Sequence, residues 1–431
     1  MTPKQVKIAV LGCGTVGSQV VRLLSERGED YAQRCGADLD LIGVAVRSLE
    51  APRPQGVPRE LLTSDAEDLI DAADIVVELI GGIEPARTFV LRALRRGVTV
   101  VTGNKALLAS CGPELFDAAQ HANADLYFEA AVAGAVPVVY ALRESLAGDH
   151  VTDVLGIVNG TTNYILDEMT RSGRSYEEAL ARAQELGYAE ADPSADVDGY
   201  DAAAKCAILA SLAFHTRVGI DDVDVTGMSD ITAADIEQAR AGGCVIKLLA
   251  HAHRVRVGER EAVSVRVAPT LVERDNPLAS ITGAFNAVVV DAEAAGRLMF
   301  YGQGAGGVQT ASAVLSDVVA AATHVAHGGA APREQTYESL EILPAAQARS
   351  AFEVRLILAD RTGVLAEIAQ VFASHDLSVA ALTQTAREET GCSALTLTTH
   401  ETTLGALEGA LADLRELACV KRVERVLSRE G

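Results

Sequence analysis

Positive charge is scarce in this sequence: lysine and arginine together number 37 against 59 aspartates and glutamates, a formal net charge of −22. Such a chain is a poor partner for nucleic acid or an anionic membrane, so any phosphate-bearing ligand must be held by local donors. No apolar run is long enough to span a bilayer, and no charged-then-apolar segment with a cleavage site opens the chain. The expectation is a cytoplasmic protein with no membrane partner. The cysteines (Cys13, Cys35, Cys111, Cys206, Cys244, Cys392 and Cys419) are scattered, odd in number and never at metal-ligand spacing. They read as reduced, mostly buried small hydrophobes. Lysine is rarest of the charged types: Lys4, Lys7, Lys105, Lys205, Lys247 and Lys421 are the whole set. A lysine in an apolar context therefore stands out, and Lys105 and Lys205 both do.

What the chain does contain is enough apolar material for several cores. With 431 residues, 49% hydrophobic and 22% charged, two or three globular domains are expected. The stretch from Gly187 to Lys205 crowds five acidic residues and one lysine ahead of the apolar run Cys206-Ala-Ile-Leu-Ala210. Asp201 and Lys205, four apart, share one face of a helix. A surface ion pair is the ordinary outcome of that spacing, but alanines, cysteine, isoleucine and leucine surround Lys205 and point to a buried, functional pair. Burial lowers a lysine's pKa and a neighbouring carboxylate raises it, a balance suited to proton transfer. Pro193 and Gly199 keep the preceding loop out of regular structure, leaving Glu190, Asp192, Asp196 and Asp198 to face a pocket.

The amino terminus reads as a strand, Val6–Leu11, then Gly12-Cys-Gly14-Thr-Val-Gly17, then a helix. That order suits a dinucleotide pyrophosphate, with glycines allowing close backbone approach and the helix amino terminus facing the phosphates. A second strand, Leu39 to Val46, ends in Arg47 rather than an acidic residue, which suits the extra phosphate of NADP. Glu50 nearby leaves NAD open. Asp74–Ile80 and Val98–Thr102 read as further parallel strands, and Lys105 follows the end of the second, in the crevice of a doubly wound sheet. Asp125–Glu129 reads as another strand. Its Glu129, with bare carbonyls following from Val132, Gly134 and Val136, could hold a hard cation by oxygens, although on these residues alone a plain buried strand and turn is the better explanation.

In the middle, Gly156-Ile-Val-Asn-Gly-Thr-Thr-Asn163 puts a turn and two threonines ahead of a helix predicted to begin near Tyr164. Ser175 to Leu186 is an amphipathic helix with a capping box. Val245 to Val290 mixes short strands and turns. Tyr301-Gly-Gln-Gly-Ala-Gly-Gly307 precedes an alanine-rich helix, Val308 to Ala322; it suits either closure over a cofactor or a tight interdomain crossing. Residues 326–350 are the candidate linker. Phe352 to Arg429 has the order strand, helix, strand, strand, helix, strand of a ferredoxin-like unit.

Together these stretches resemble homoserine dehydrogenase along nearly the whole chain. The most specific are Gly156–Ile165, Gly187–Pro193 running to Asp201-Ala-Ala-Ala-Lys205, and Tyr301–Gly307. The tail resembles an ACT domain, an amino-acid-sensing module, in its Asp360–Leu365 turn and Leu382-Thr-Gln384 strand. The resemblance implies an α/β protein: a Rossmann-type domain, 1–135, completed by 303–325; an α+β substrate and oligomerisation domain, 136–302; and the ACT domain, 351–431. It implies interconversion of L-homoserine and L-aspartate 4-semialdehyde with NADP, NAD being the alternative, on the way to threonine and methionine. Lys205 would donate the proton, with Asp201 as its partner and a substrate contact. Lys105 would lie by the reacting oxygen and the nicotinamide, and Glu190 would bind the substrate ammonium. Thr161 and Tyr188 would complete the substrate pocket, while Gly12, Gly14, Thr15, Val16, Gly17, Arg47, Lys105, Gly187 and Gly302 would line the cofactor. Glu129, Val132, Gly134 and Val136 would hold a sodium-like ion. A homodimer or homotetramer with threonine as effector is the family expectation.

Two other readings compete. A dehydrogenase-like regulatory protein without turnover would have no physical need for two desolvated lysines. A semialdehyde-forming enzyme would need a thiol nucleophile, and the only tempting one, Cys206, does not share a helix face with Lys205.

Overall fold

The computed structural model describes residues 3–54, 56–387 and 391–430. The amino-terminal part forms a six-stranded parallel sheet: β1 (Lys4–Leu11), β2 (Ala37–Ala45), β3 (Leu62–Thr63), β4 (Ile75–Glu78), β5 (Thr99–Thr102) and β6 (Leu126–Tyr127), in the order β3-β2-β1-β4-β5-β6. Alternation along β1 buries both of its faces. Val6, Ile8 and Val10 meet the helices Thr15–Cys35 and Gly307–His327, while Ala9 and Leu11 meet the side occupied by Ala86–Arg95 and Lys105–Ala122. A helix some three hundred residues downstream thus belongs to the first sheet's core. The predicted strand Asp125–Glu129 is shorter, because Glu129–Ala131 turn into a 3-10 helix after Tyr127.

The second sheet is mixed. Its strands are β7 (Val151–Ile157), β8 (Asp224–Val225), β9 (Cys244–Val257), β10 (Arg260–Glu273), β11 (Phe285–Ala292) and β12 (Gly296–Gln303). The segment predicted to mix short strands contains two long ones instead, β9 and β10, of 14 residues each and antiparallel throughout. Ile246, Leu248, Ala250 and Ala252 of β9 face the core shared with helices Gly160–Ser172, Tyr200–Phe214 and Ala233–Ala241, while Leu249 faces the other side with Leu155.

The carboxyl-terminal unit adds β13 (Glu341–Ile342), β14 (Arg349–Ala359), β15 (Val379–Arg387), β16 (Cys392–Thr399), β17 (Thr402–Thr403) and β18 (Val420–Glu430), with helices Val364–Ser374 and Leu404–Glu416 over its own core. It is not a detached module. β18 runs beyond the predicted Val426 and pairs in parallel with β10, Thr270 against Ser428 through Val272 against Glu430, so the main path β12-β11-β7-β9-β10-β18-β14-β16-β15 is one sheet. Asp235, whose carboxylate accepts from the N–H of the helix-capping Thr232, joins Arg355 at 2.6 Å and Arg425 at 2.9 Å across this joint. The stretch read as a linker is also tied down: β13 pairs with β10, and Glu334 binds Arg217. Among the described residues no helix is long and apolar enough to cross a membrane.

Candidate active site

Helix Tyr200–Phe214 carries the centre of the site. Gly199, at φ +90°, turns the chain into it, and an added Cβ would lie 2.9 Å from Val225 Cγ1. Alanines then give the helix high intrinsic propensity, and nearly every side is buried, as expected of a helix apolar all round. Lys205 in its middle is 8% exposed. Its Nζ donates to Asp201 Oδ2 at 2.8 Å and to the carbonyl of Val158 at 2.7 Å. Two of the ammonium's three N–H groups are thereby committed, leaving one for a ligand.

Asp201 is shared. Its other oxygen, Oδ1, lies 3.0 Å from Lys105 Nζ. Asn159 Nδ2 donates to Asp201 Oδ2 at 2.7 Å and to Asp196 Oδ1 at 2.6 Å. Burial alone would push the Asp201 carboxyl up, but the ammonium groups of Lys205 and Lys105, with hydrogen bonds from Lys205 and Asn159, hold it well below the usual carboxylate range. The attraction of Asp201, assisted by Asp196 and Glu190, outweighs desolvation and raises the pKa of Lys105. The Lys105 side chain is still 45% exposed, so its stem borders solvent while its ammonium reaches inward. Its position follows from the end of β5: Thr102 Oγ1 accepts from Asn104 N–H, and Asn104 caps the helix that Lys105 begins.

The remaining predicted substrate residues converge from two segments. Thr161 Oγ1 donates to the carbonyl of Tyr188 at 2.7 Å, and the Tyr188 ring lies 4.9 Å from that of Tyr164. The helix here starts at Gly160, earlier than predicted, because Asn159 caps it and leaves both threonines in the first turn. Of the acidic residues expected to face the pocket, Asp196 and Glu190 act on Lys105. Asp192 accepts instead from the Ser194 N–H, at the first residue of the short helix Ser194–Val197. Asp198 lies exposed.

A glycine turn follows β1 and leads into the helix Thr15–Cys35. An added Cβ on Gly12, at φ +100°, would lie 2.5 Å from the carbonyl oxygen of Leu79, and one on Gly17 would lie 2.1 Å from that of Gly12. Gly14 has open space beside it and caps a helix with no acidic residue in its first turn, leaving the amino-terminal N–H groups of Thr15, Val16 and Gly17 to an anion. The second glycine run meets the first: an added Cβ on Gly307 would lie 2.9 Å from the carbonyl of Thr15, and one on Gly302 would lie 3.2 Å from Val136 Cγ2. Gly187, at φ +75°, ends the segment that leads to Tyr188. Arg47 is exposed beyond β2.

Sequence reasoning passed over three residues. Arg53 donates to the carbonyls of Cys13 at 3.0 Å and Ser48 at 2.8 Å, pinning the glycine turn to the loop that carries Arg47. Asn159 joins Asp196 to Asp201. Asn286, fully buried, donates to the same Val158 carbonyl that holds Lys205. Asparagine at the strand-to-helix step Val158-Asn-Gly was the one available signal.

Glu129 is buried, and both carboxylate oxygens accept backbone N–H groups, from Val139 at 3.0 Å and Tyr140 at 2.7 Å. Burial lifts its pKa to about 7 despite those bonds. Asp317, which accepts the Glu129 N–H at 2.9 Å, is lifted to about 8 by burial and by the charge of Glu129. Val136 O accepts from Val138, whereas the carbonyls of Val132 and Gly134 receive no hydrogen bond among the described residues. Two buried acids and two free carbonyls fit a small hard cation.

A parallel sheet with an anion-ready glycine turn, in one chain with a buried lysine held by a carboxylate, is the pattern of a nicotinamide-dependent oxidoreductase. Residues 137–319 match the homoserine dehydrogenase family model, 12–129 its NAD-binding domain and 352–419 the ACT domain. The homoserine dehydrogenase of Corynebacterium glutamicum is 52% identical over 98% of this chain and 94% of its own, and that of Mycobacterium tuberculosis is 51% identical over 99% and 98%. The crystal structure of a homoserine dehydrogenase from Thiobacillus denitrificans superposes with a TM-score of 0.92 at 37% identity, covering 100% of this chain and 99% of that one. A hyperthermophilic archaeal homoserine dehydrogenase in complex with NADPH gives 0.61 at 28% identity, over 74% and 97%. The chain belongs to the homoserine dehydrogenase family.

Proposed function

We propose that the chain reduces L-aspartate 4-semialdehyde to L-homoserine, and reverses that step, in the route to threonine and methionine. The arrangement of Asp201 between Lys205 and Lys105 is the observation that carries this reading. A reduced nicotinamide supplies the hydride. As the aldehyde oxygen gains charge, the free N–H of Lys205 stabilises it and delivers the proton, while Asp201 and the Val158 carbonyl fix the ammonium. Lys105 borders the same oxygen and the nicotinamide, and Glu190 takes the substrate ammonium. Thr161 and Tyr188 close the substrate pocket.

Gly12, Gly14, Thr15, Val16, Gly17, Gly187 and Gly302 line the cofactor, on a domain of residues 1–135 completed by 303–325. Arg47 favours NADP through its charge, with NAD the weaker cofactor. The archaeal relative solved in complex with NADPH supports a nicotinamide cofactor. Glu129, Val132, Gly134 and Val136 bind sodium, which relieves the crowding of Glu129 with Asp317. The ACT domain binds threonine and works through its sheet joint with the substrate domain, in a cytoplasmic homodimer or homotetramer. The thiol-nucleophile alternative loses its candidate: Cys206 is buried, and burial pushes its thiol up to about 12.

Absorbance of NADPH and NADH during turnover with aspartate semialdehyde tests the reading. Oxidation of NADPH faster than NADH, with the preference lost in Arg47→Ser, is expected. Absence of oxidation with either, despite tight cofactor binding, would overturn it. Threonine that changed neither activity nor sedimentation would remove the feedback claim alone.

A further inference from the structure

On the face of the second sheet opposite its helices, β7 and β9 bring together three ligand-type side chains that the dehydrogenase site does not use. Asp153 stands opposite His253 in register, and His251 and His253 are two apart on β9 and so share its face. His251 Nε2 lies 2.9 Å from Asp153 Oδ2, and the two imidazole centroids are 4.5 Å apart. One nitrogen from each histidine and one Asp153 oxygen all fall within 4.8 Å of one another. His253 Nδ1 is buried and has no hydrogen-bond partner among the described residues. The histidines and Glu430, the final residue of β18, line one hollow of about 30 Å³, the volume of about one water.

We infer that Asp153, His251 and His253 form a binding site for a zinc-class divalent ion, with the fourth position open to water or Glu430. Two imidazoles and one carboxylate are the donor set of such ions, whereas calcium and magnesium take oxygen ligands. Ligand atoms around a tetrahedral zinc at about 2.0–2.2 Å stand roughly 3.3–3.6 Å apart, so the trio needs only small side-chain adjustments. The unpartnered nitrogen of His253 gains an acceptor role that its surroundings do not otherwise provide. Because Glu430 belongs to the strand that carries the effector unit, an ion here sits where that unit joins the catalytic sheet. The same strand β7 leads directly to Val158, whose carbonyl holds Lys205.

The test is titration of the chelator-stripped full chain with Co2+, followed by visible absorbance, and with Zn2+, followed by calorimetry. One ion per chain, with a visible band of ordered cobalt and no competition from excess Mg2+, is expected. His251→Ala and His253→Ala should each weaken binding at least tenfold. Asp153→Asn, which keeps the side-chain shape, should weaken binding while the melting temperature of the metal-free protein holds. Absence of saturable binding would overturn the inference. So would unchanged affinity in the His251→Ala/His253→Ala double variant or in Asp153→Asn, since the free cysteines would then be holding the metal.

Discussion

Two lysines lie buried against the second sheet and its helices, and they are held in opposite ways. Lys205, 8% exposed, is paired with the Asp201 carboxylate and keeps one N–H unspent; Lys247, 3% exposed, meets the neutral acceptors Asn163 Oδ1 at 2.9 Å and the Ile281 carbonyl at 2.5 Å. Asn163 also donates to the carbonyls of Gly283 and Ile281, so Lys247 works as a clamp on the loop before β11. Burial alone therefore does not mark a chemical lysine. The difference lies in the carboxylate, the second cation on its far oxygen and the unspent donor.

The comparison breaks first at Lys205. Lys205→Met should lower turnover about a hundredfold to ten-thousandfold, with cofactor affinity measured by fluorescence near that of the parent. Asp201→Asn keeps the shape but leaves two ammonium groups without their charge-assisted partner. Loss of about 1.5–3 kcal/mol of such bonding corresponds to roughly a tenfold to hundredfold drop in turnover. Lys105→Ala removes a partly exposed member, and a severalfold drop is expected in the same steady-state assay. Lys247→Met should leave turnover close to the parent's and change stability instead.

The sign of that last effect is fixed. Burial, partly offset by Asp167, lowers the Lys247 pKa from 10.5 to about 8 in the folded chain. Between those values the unfolded chain holds a proton that the folded chain has lost. The stability of the parent relative to Lys247→Met should thus rise with pH from about 8 to about 10.5, by at most roughly 3.5 kcal/mol. Denaturant melts of both proteins across that range measure it, and a flat difference would show that Lys247 keeps its ordinary titration.

The sequence made one member of this comparison visible and hid the other. Asp201 and Lys205 are four apart on one helix, so local spacing and apolar neighbours announce them. Lys247 sits on a strand whose partners, Asn163 and Ile281, lie far along the chain, and nothing local separates it from a core position. The same distinction runs through the fold. The Gly12–Gly17 turn and the order of elements after Phe352 are local patterns and were legible. The pairing of β18 with β10, the clamp of Arg53 on the glycine turn and the bridging by Asn159 are long-range contacts that no window along the chain contains. Glu129 was legible as an acid in apolar surroundings, but its two bonds to the backbone of Val139 and Tyr140 were not.

The most direct test of the central claim is turnover of Lys205→Met and Lys247→Met side by side, with aspartate semialdehyde and NADPH, at a temperature where both remain folded. A loss of about a hundredfold or more in the first, beside near-parent turnover in the second, is predicted. Equal losses, or a Lys205→Met enzyme that turned over like the parent, would contradict the assignment of the proton to Lys205.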